Sequence, residues 1–176
     1  MAILNPEQAS SAQWDFLVSN FKTEQANGKR LTLVKAVSES LSLWTEFIPA
    51  VGVQLMDARE EFHATGKHKL YCDFVIQCST QSTAASASAN GFAIPCLDDA
   101  MKQLRTIVSD GAGNGICSIL RDPANRTLGG SAGTSQIKGI HFQPEIKPGA
   151  NVNTDDPEIW AHCFVDFTTL QFVTIV

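Results

Sequence analysis

Residues 68–80 read HKLYCDFVIQCST, and this stretch decides the fold class because it holds the clearest strand pattern in the chain. Apolar and more polar side chains alternate along it. The apolar face is formed by Leu70, Cys72, Phe74, Ile76 and Cys78, and the opposite face carries Tyr71, Asp73 and Gln77. Strict alternation is typical of a β-strand that buries one face only, so this strand needs a covering layer.

Further strands are predicted on both sides of this one. Residues 31–37 form an extended, β-rich run, and residues 47–56 (FIPAVGVQLM) suit an edge or bent strand because of the proline and the glycine. The charged residues 57–61 read as a hinge. Residues 136–146 predict a strand with a bulge at Gly139, and residues 158–176 predict either one long strand or a strand with a bend.

Two helices complete the pattern. Residues 5–22 have a capping asparagine and a proline at the first helical position, and their apolar stripe is Trp14, Leu17, Val18 and Phe21. Residues 95–109 carry a second stripe, formed by Leu97, Met101, Leu104 and Val108. The order α-β-β-β-α-β-β predicts an α+β fold, with a mixed, mainly antiparallel sheet packed against helices. We expect residues 1–176 to form a single compact domain, with helix 5–22 as an extension.

Composition excludes several classes of protein. The 176 residues are 44% hydrophobic, have a formal net charge of -5 and contain no apolar run of transmembrane length. A disordered tail and a protein built to grip nucleic-acid backbone are both disfavoured. The start, MAILNPEQAS, lacks the features of a signal peptide. The five cysteines are an odd number without a CxxC pair, which predicts reduced thiols packed in a cytosolic protein.

No motif predicts a catalytic, cofactor-binding or metal site, and we therefore expect a protein that is not an enzyme. The glycines of DGAGNG (110–115) lack phosphate-loop spacing. The histidines are not spaced as metal ligands, and the adjacent carboxylates fall where solvent would keep them ionised. These residues are His63, His68, His141 and His162, with the acidic pairs at 60–61, 98–99 and 155–156.

The ordered set of pieces resembles the tail terminator and tail-completion proteins of long-tailed bacteriophages. The resemblance covers residues 30–176. It is carried by a strand opening with Pro-Ala-Val, a strand, a helix, a turn and a final aromatic strand: PAVGVQL (49–55), LYCDFVIQC (70–78), LDDAMKQLRTIV (97–108), DPANRTLGG (122–130) and EIWAHCFVDFTTLQF (158–172).

The resemblance implies a structural virion protein at the head-proximal end of the tail, assembled in the host cytoplasm. It would form a homo-oligomeric hexameric ring that caps the tail tube, stops its polymerisation and offers a surface for head–tail joining. Its partners would be the tail tube protein, the head–tail connector protein and, as a further candidate, the sheath protein. DNA would pass through the lumen without specific binding, and neither a cofactor nor a membrane is implied.

Surfaces for these contacts follow from the predicted elements. We expect them on the C-terminal strand and on the loops 57–67, 80–91 and 147–156. Few cations would face DNA in an acidic lumen, and the exceptions to examine are Arg121, Arg126 and Lys138.

Two other functions stay open at this point. One is a small cytosolic α+β enzyme or ligand-binding domain with a pocket between sheet and helix, lined by His141, Cys163 and Tyr71. The other is a different phage connector or baseplate ring component.

Overall fold

A computed structural model of the chain describes residues 6–26, 30–41, 48–82, 94–147 and 158–174. The helices are α1 (Pro6–Ala26), α2 (Ile94–Val108) and α3 (Ile116–Arg121), and the strands are β1 (Ala36–Ser38), β2 (Ala50–Ala64), β3 (Lys67–Ser82), β4 (Thr134–Lys147) and β5 (Glu158–Thr174). Two short 3-10 turns, Pro123–Asn125 and Leu128–Gly130, connect α3 to β4.

All five strands form one sheet in the order β1-β2-β3-β5-β4. β1 runs parallel to β2, and the other three pairings are antiparallel. The predicted fold class is therefore confirmed: a single α+β domain with a mixed, mostly antiparallel sheet and helices. The predicted bulge at Gly139 is also confirmed, because the pairing of β4 with β5 shifts between Ile137 and Gly139.

The helices pack against one face of the sheet, which we call the helix side. The predicted alternation of β3 is confirmed, since Leu70, Cys72, Phe74, Ile76 and Cys78 are all buried there. The same core includes Phe167 of β5, Leu104 of α2 and Leu17, Val18 and Phe21 of α1. Helix α1, predicted as an extension, therefore contributes to the central core of the domain.

The predicted charged hinge at residues 57–61 is wrong, because these residues belong to β2. The strand runs on to Ala64 and turns at Thr65 and Gly66 into β3. The side chains from Met56 to Lys67 are exposed, so among the described residues little covers either face of this stretch. A strand with both faces exposed to solvent shows no alternation of apolar and polar residues. Its charged sequence therefore resembles that of a loop. We call this part of the sheet, residues 56–67, the distal hairpin.

The predicted extended run at residues 31–37 is mostly wrong as well. Residues 31–33 form a turn, and only Ala36–Ser38 pair with β2. The apolar character of the run still has a structural cause, since Leu31 and Val34 are both buried in the core.

Arg30 ties the end of α1 to the segment after α3. Its guanidinium lies 2.8 Å from Glu24 Oε1 and 2.9 Å from Asp122 Oδ2. The Glu24 side chain is 7% exposed, so it depends on this partner. Hydrogen bonds from the backbone N–H of Ala124 and from Arg30 lower the pKa of Asp122.

We expect Phe74→Ala to lower the free energy of unfolding by about 3–5 kcal/mol, because Phe74 is fully packed on the helix side. The matched control is Val75→Ala, one residue along on the half-buried opposite face, which should cost clearly less. Urea denaturation measures both. Equal stability of Phe74→Ala and the wild type would contradict the assignment of the faces.

We expect Arg30→Gln to cost about 1–3 kcal/mol at neutral pH, because the nearly buried Glu24 carboxylate loses its partner. A carboxylate with a lowered pKa stabilises the fold above its unfolded pKa, about 3.9 for Asp122, and this stabilisation is lost as the pH falls through the folded value. The difference between wild type and variant should therefore shrink in acid. Denaturation curves from pH 7 to pH 3 test this, and a constant difference would contradict it.

Candidate interaction surfaces

Among the described residues, the sheet has two open edges, one at each end. β4 is the last strand on one side. On the other side, β1 covers β2 only from Ala50 to Gly52, and the Trp14 indole N–H donates to the Val53 carbonyl at 3.2 Å. Among the described residues, the part of β2 from residue 54 to 64 pairs with β3 but has no strand on its outer side. Unpaired strand edges expose backbone donors and acceptors and are ready to pair with another chain.

A groove of about 520 Å³ follows the β4 edge and brings together the three cations singled out from the sequence. Arg121 is the last residue of α3, Arg126 lies in the turn that follows, and Lys138 stands at the bulge of β4. All three side chains are exposed. We call this the cationic groove.

Local hydrogen bonds fix the turn that forms the groove. The Ser135 hydroxyl donates to the Arg126 carbonyl at 3.0 Å, which holds the turn against the start of β4. Asp122, the nearest acidic residue in sequence, accepts from the Ala124 N–H at 3.0 Å and pairs with Arg30 instead. Among the described residues no carboxylate lies within 4 Å of the groove cations, so the groove is positively charged.

The opposite edge is acidic. Along the distal part of β2 the charged residues are Asp57, Arg59, Glu60 and Glu61. Arg59 is held by Asp57 at 3.0 Å and by Asp73 at 2.9 Å. Of the two remaining carboxylates of this strand, Glu61 stands opposite Lys69 in register, so Glu60 is the acidic side chain of this edge without a Lys or Arg opposite it. Glu60 lies 3.3 Å from His68, and its side chain is 38% exposed.

Exposed apolar side chains accompany both edges. Phe62 is 73% exposed on the distal hairpin, and Phe142 and Ile140 are 42% and 36% exposed on β4. Large apolar groups that stay accessible at a strand edge favour contact with another protein surface.

The C-terminal strand was predicted as a contact surface, and the topology shows that it cannot serve as an edge strand for a neighbour. β5 lies between β3 and β4 and is paired on both sides, so it has no free edge to offer. The predicted loop 57–67 is instead the distal hairpin. Of the predicted loops 80–91 and 147–156, residues 80–82 and 147 belong to strands and the rest lie outside the described residues.

A polar network that the sequence analysis did not predict crosses three strands on the side opposite the helices, from the buried Ser79 to the partly exposed Glu145. Ser79 Oγ lies 2.7 Å from His162 Nδ1, and His162 Nε2 lies 3.2 Å from Glu145 Oε2. The order of groups resembles a serine–histidine–acid triad. Ser79 is completely buried, however, so a substrate carbonyl cannot reach its hydroxyl in this arrangement. The network fastens β3, β5 and β4 together.

The residues predicted to line an enzyme pocket do not converge. His141 is on the side opposite the helices, where its Nε2 lies 3.0 Å from Asp166 Oδ2, whereas Cys163 is buried in the core on the helix side. Tyr71 pairs in register with Leu170, seven residues along β5 from Cys163. Opposite faces and distant register positions separate the three side chains.

The cysteines of the described chain are core residues. Cys72, Cys78, Cys117 and Cys163 are buried free thiols, and the Cys96 side chain lies outside the described residues. Burial raises the pKa of Cys163 to about 12 and that of Cys72 to about 11. Within the described ranges no cluster of three or more His, Cys, Asp or Glu side chains could hold a metal ion.

Comparison with protein-family models and with curated proteins finds no match to this chain. Among its described helices, none is both long and apolar enough to cross a lipid bilayer.

We expect these four buried thiols to resist iodoacetamide at pH 8 in the folded protein, because the reactive form is the thiolate and burial raises their pKa values. Mass mapping of alkylated peptides measures each site. The same protein in urea is the control and should be labelled at all of them. Fast labelling of Cys163 in the folded state would contradict the prediction.

Proposed function

We propose that this chain is a structural protein of a phage virion, a tail terminator that caps the tail tube as a ring, stops its polymerisation and provides the surface for head–tail joining. Its action is assembly through complementary surfaces, without catalysis. The observation that carries the proposal is the pair of open edges at opposite ends of one sheet, each with exposed apolar side chains.

The position of the edges supports a ring. Two different surfaces at opposite ends of a protomer favour head-to-tail contacts, in which each copy uses one edge toward one neighbour and the other edge toward the next. Head-to-tail contacts close into a ring when the rotation between copies divides a full turn. The resemblance to tail terminators adds the expected stoichiometry, a hexamer.

The partners follow from the position of such a ring at the head-proximal end of the tail. One side of the ring would contact the tail tube protein and the other the head–tail connector protein, and the sheath protein is the further candidate. The net charge of -5 suits a lumen that DNA passes through without being retained. Assembly would take place in the host cytoplasm.

Mass photometry of the purified chain, alone and with tail-tube subunits, tests this function. We expect a discrete hexameric species, and we expect added protein to shorten the tubes seen by electron microscopy because capped ends cannot grow. Tubes grown without the protein are the control. A strict monomer that leaves tube length unchanged would contradict the proposal.

A further inference from the structure

We propose that neighbouring copies join by strand pairing, with the β4 edge of one copy against the distal β2 edge, residues 54–64, of the next. The inference deepens the proposed function and rests on it, because it names the surface by which a ring-forming protomer recognises a second copy. The occupant of the cationic groove is then the acidic edge of the neighbouring protomer.

Strand direction is the first support. The three antiparallel pairings make β2 and β5 run one way and β3 and β4 the other. A neighbour placed beside β4 by rotation about an axis along the strands keeps its own strand directions. Its β2 therefore runs antiparallel to β4, which continues the pattern of the sheet and lets the exposed backbone groups of both edges bond.

The second support is that the two edges lie at the same height along the strand direction. Ser135 of β4 pairs with Thr169, Thr169 with Cys72, and Cys72 with Ala58 of β2. Ser135 and Ala58 therefore lie at one level across the sheet. If the two copies lie at the same height along the strand direction, residues 53–59 of one copy stand opposite residues 134–140 of the other. β1 covers β2 at Ala50–Gly52, and the Trp14 indole N–H donates to the Val53 carbonyl at 3.2 Å, so the free part of that stretch is residues 54–59.

Charge is the third support. Glu60 pairs in register with Leu70, whose side chain is buried in the core, so Glu60 projects on the helix side. The cationic groove opens on this same side, because α3 supplies Arg121 to it. Glu60 lies two residues beyond Ala58, and in the level pairing it reaches the turn where Ser135 binds the Arg126 carbonyl. An acidic side chain then meets the groove cations.

The apolar side chains at the two edges lie on the same face as these charges. Ile140 and Phe142 pair in register with Val165 and Cys163, which are buried on the helix side. Phe62 pairs in register with His68, two residues from Leu70 and on the same face. In the level pairing Ile140 faces Val53 of the neighbouring copy, whereas Phe62 lies nine residues further along β2, so these apolar side chains share one face of the joined sheet without meeting each other.

A charge swap tests the inference. Arg126→Glu and Glu60→Lys are each expected to raise the dissociation constant of the ring by about tenfold or more, because each places like charges at the junction. The double variant restores opposite charges with the signs exchanged, and we expect it to recover most of the loss. Mass photometry over a protein dilution series measures all three. Lys102→Glu, on the exposed face of α2, is the matched control and should leave the ring unchanged.

A second variant tests the edge itself. Ile140→Lys puts a charge on the apolar part of β4 and should also prevent ring formation. Circular dichroism melting verifies that each variant is folded, and the double swap reports on the junction even if one single variant is unstable. Rings that persist in Arg126→Glu, Glu60→Lys and Ile140→Lys would overturn the inference while leaving the terminator function standing. A wild-type chain that neither forms rings nor caps tubes would overturn both.

Discussion

The antiparallel pairing of β3 with β5 is the interaction on which the rest of the structure depends. It runs without a register shift from Lys67 to Ser82, and both strands are paired on their other sides as well. Its helix side carries Phe74 and Phe167, whose rings lie 6.5 Å apart at the base of the core. A slip of one residue would turn these side chains to the opposite face, so the burial of one face fixes the register.

The two strands of this pair and the helices that cover them could be predicted from the sequence because each of them buries one side. β3, β5, α1 and α2 each have one buried side, and alternation or helical spacing marks that side in sequence. The distal half of β2 is exposed on both faces and carries charges, so it reads as a hinge. The opposite error occurred at residues 31–37, where a strand was predicted. Leu31 and Val34 are buried apolar residues in and next to a turn, and their sequence pattern resembles that of a strand.

The interaction surfaces were predictable only as residue types. Arg121, Arg126 and Lys138 stand out as cations, but only the turn after α3 brings them to one groove. No local sequence pattern indicates the order of strands in the sheet. For this reason the C-terminal strand was predicted as a surface for contacts with a neighbouring protein, although it is an internal strand. The contact between Ser79 and His162 depends on the same unseen register.

Two long open edges would endanger an isolated domain, because any strand of another chain could add to them. The charges on these edges limit that risk in a selective way. Two β4 edges would bring the groove cations together, and two distal β2 edges would bring their Glu60 side chains together, so pairing of like edges is disfavoured. Only unlike edges combine opposite charges with antiparallel strands. The features that protect each edge from indiscriminate association therefore also give the proposed assembly its direction, and a directional contact is what a closed ring requires.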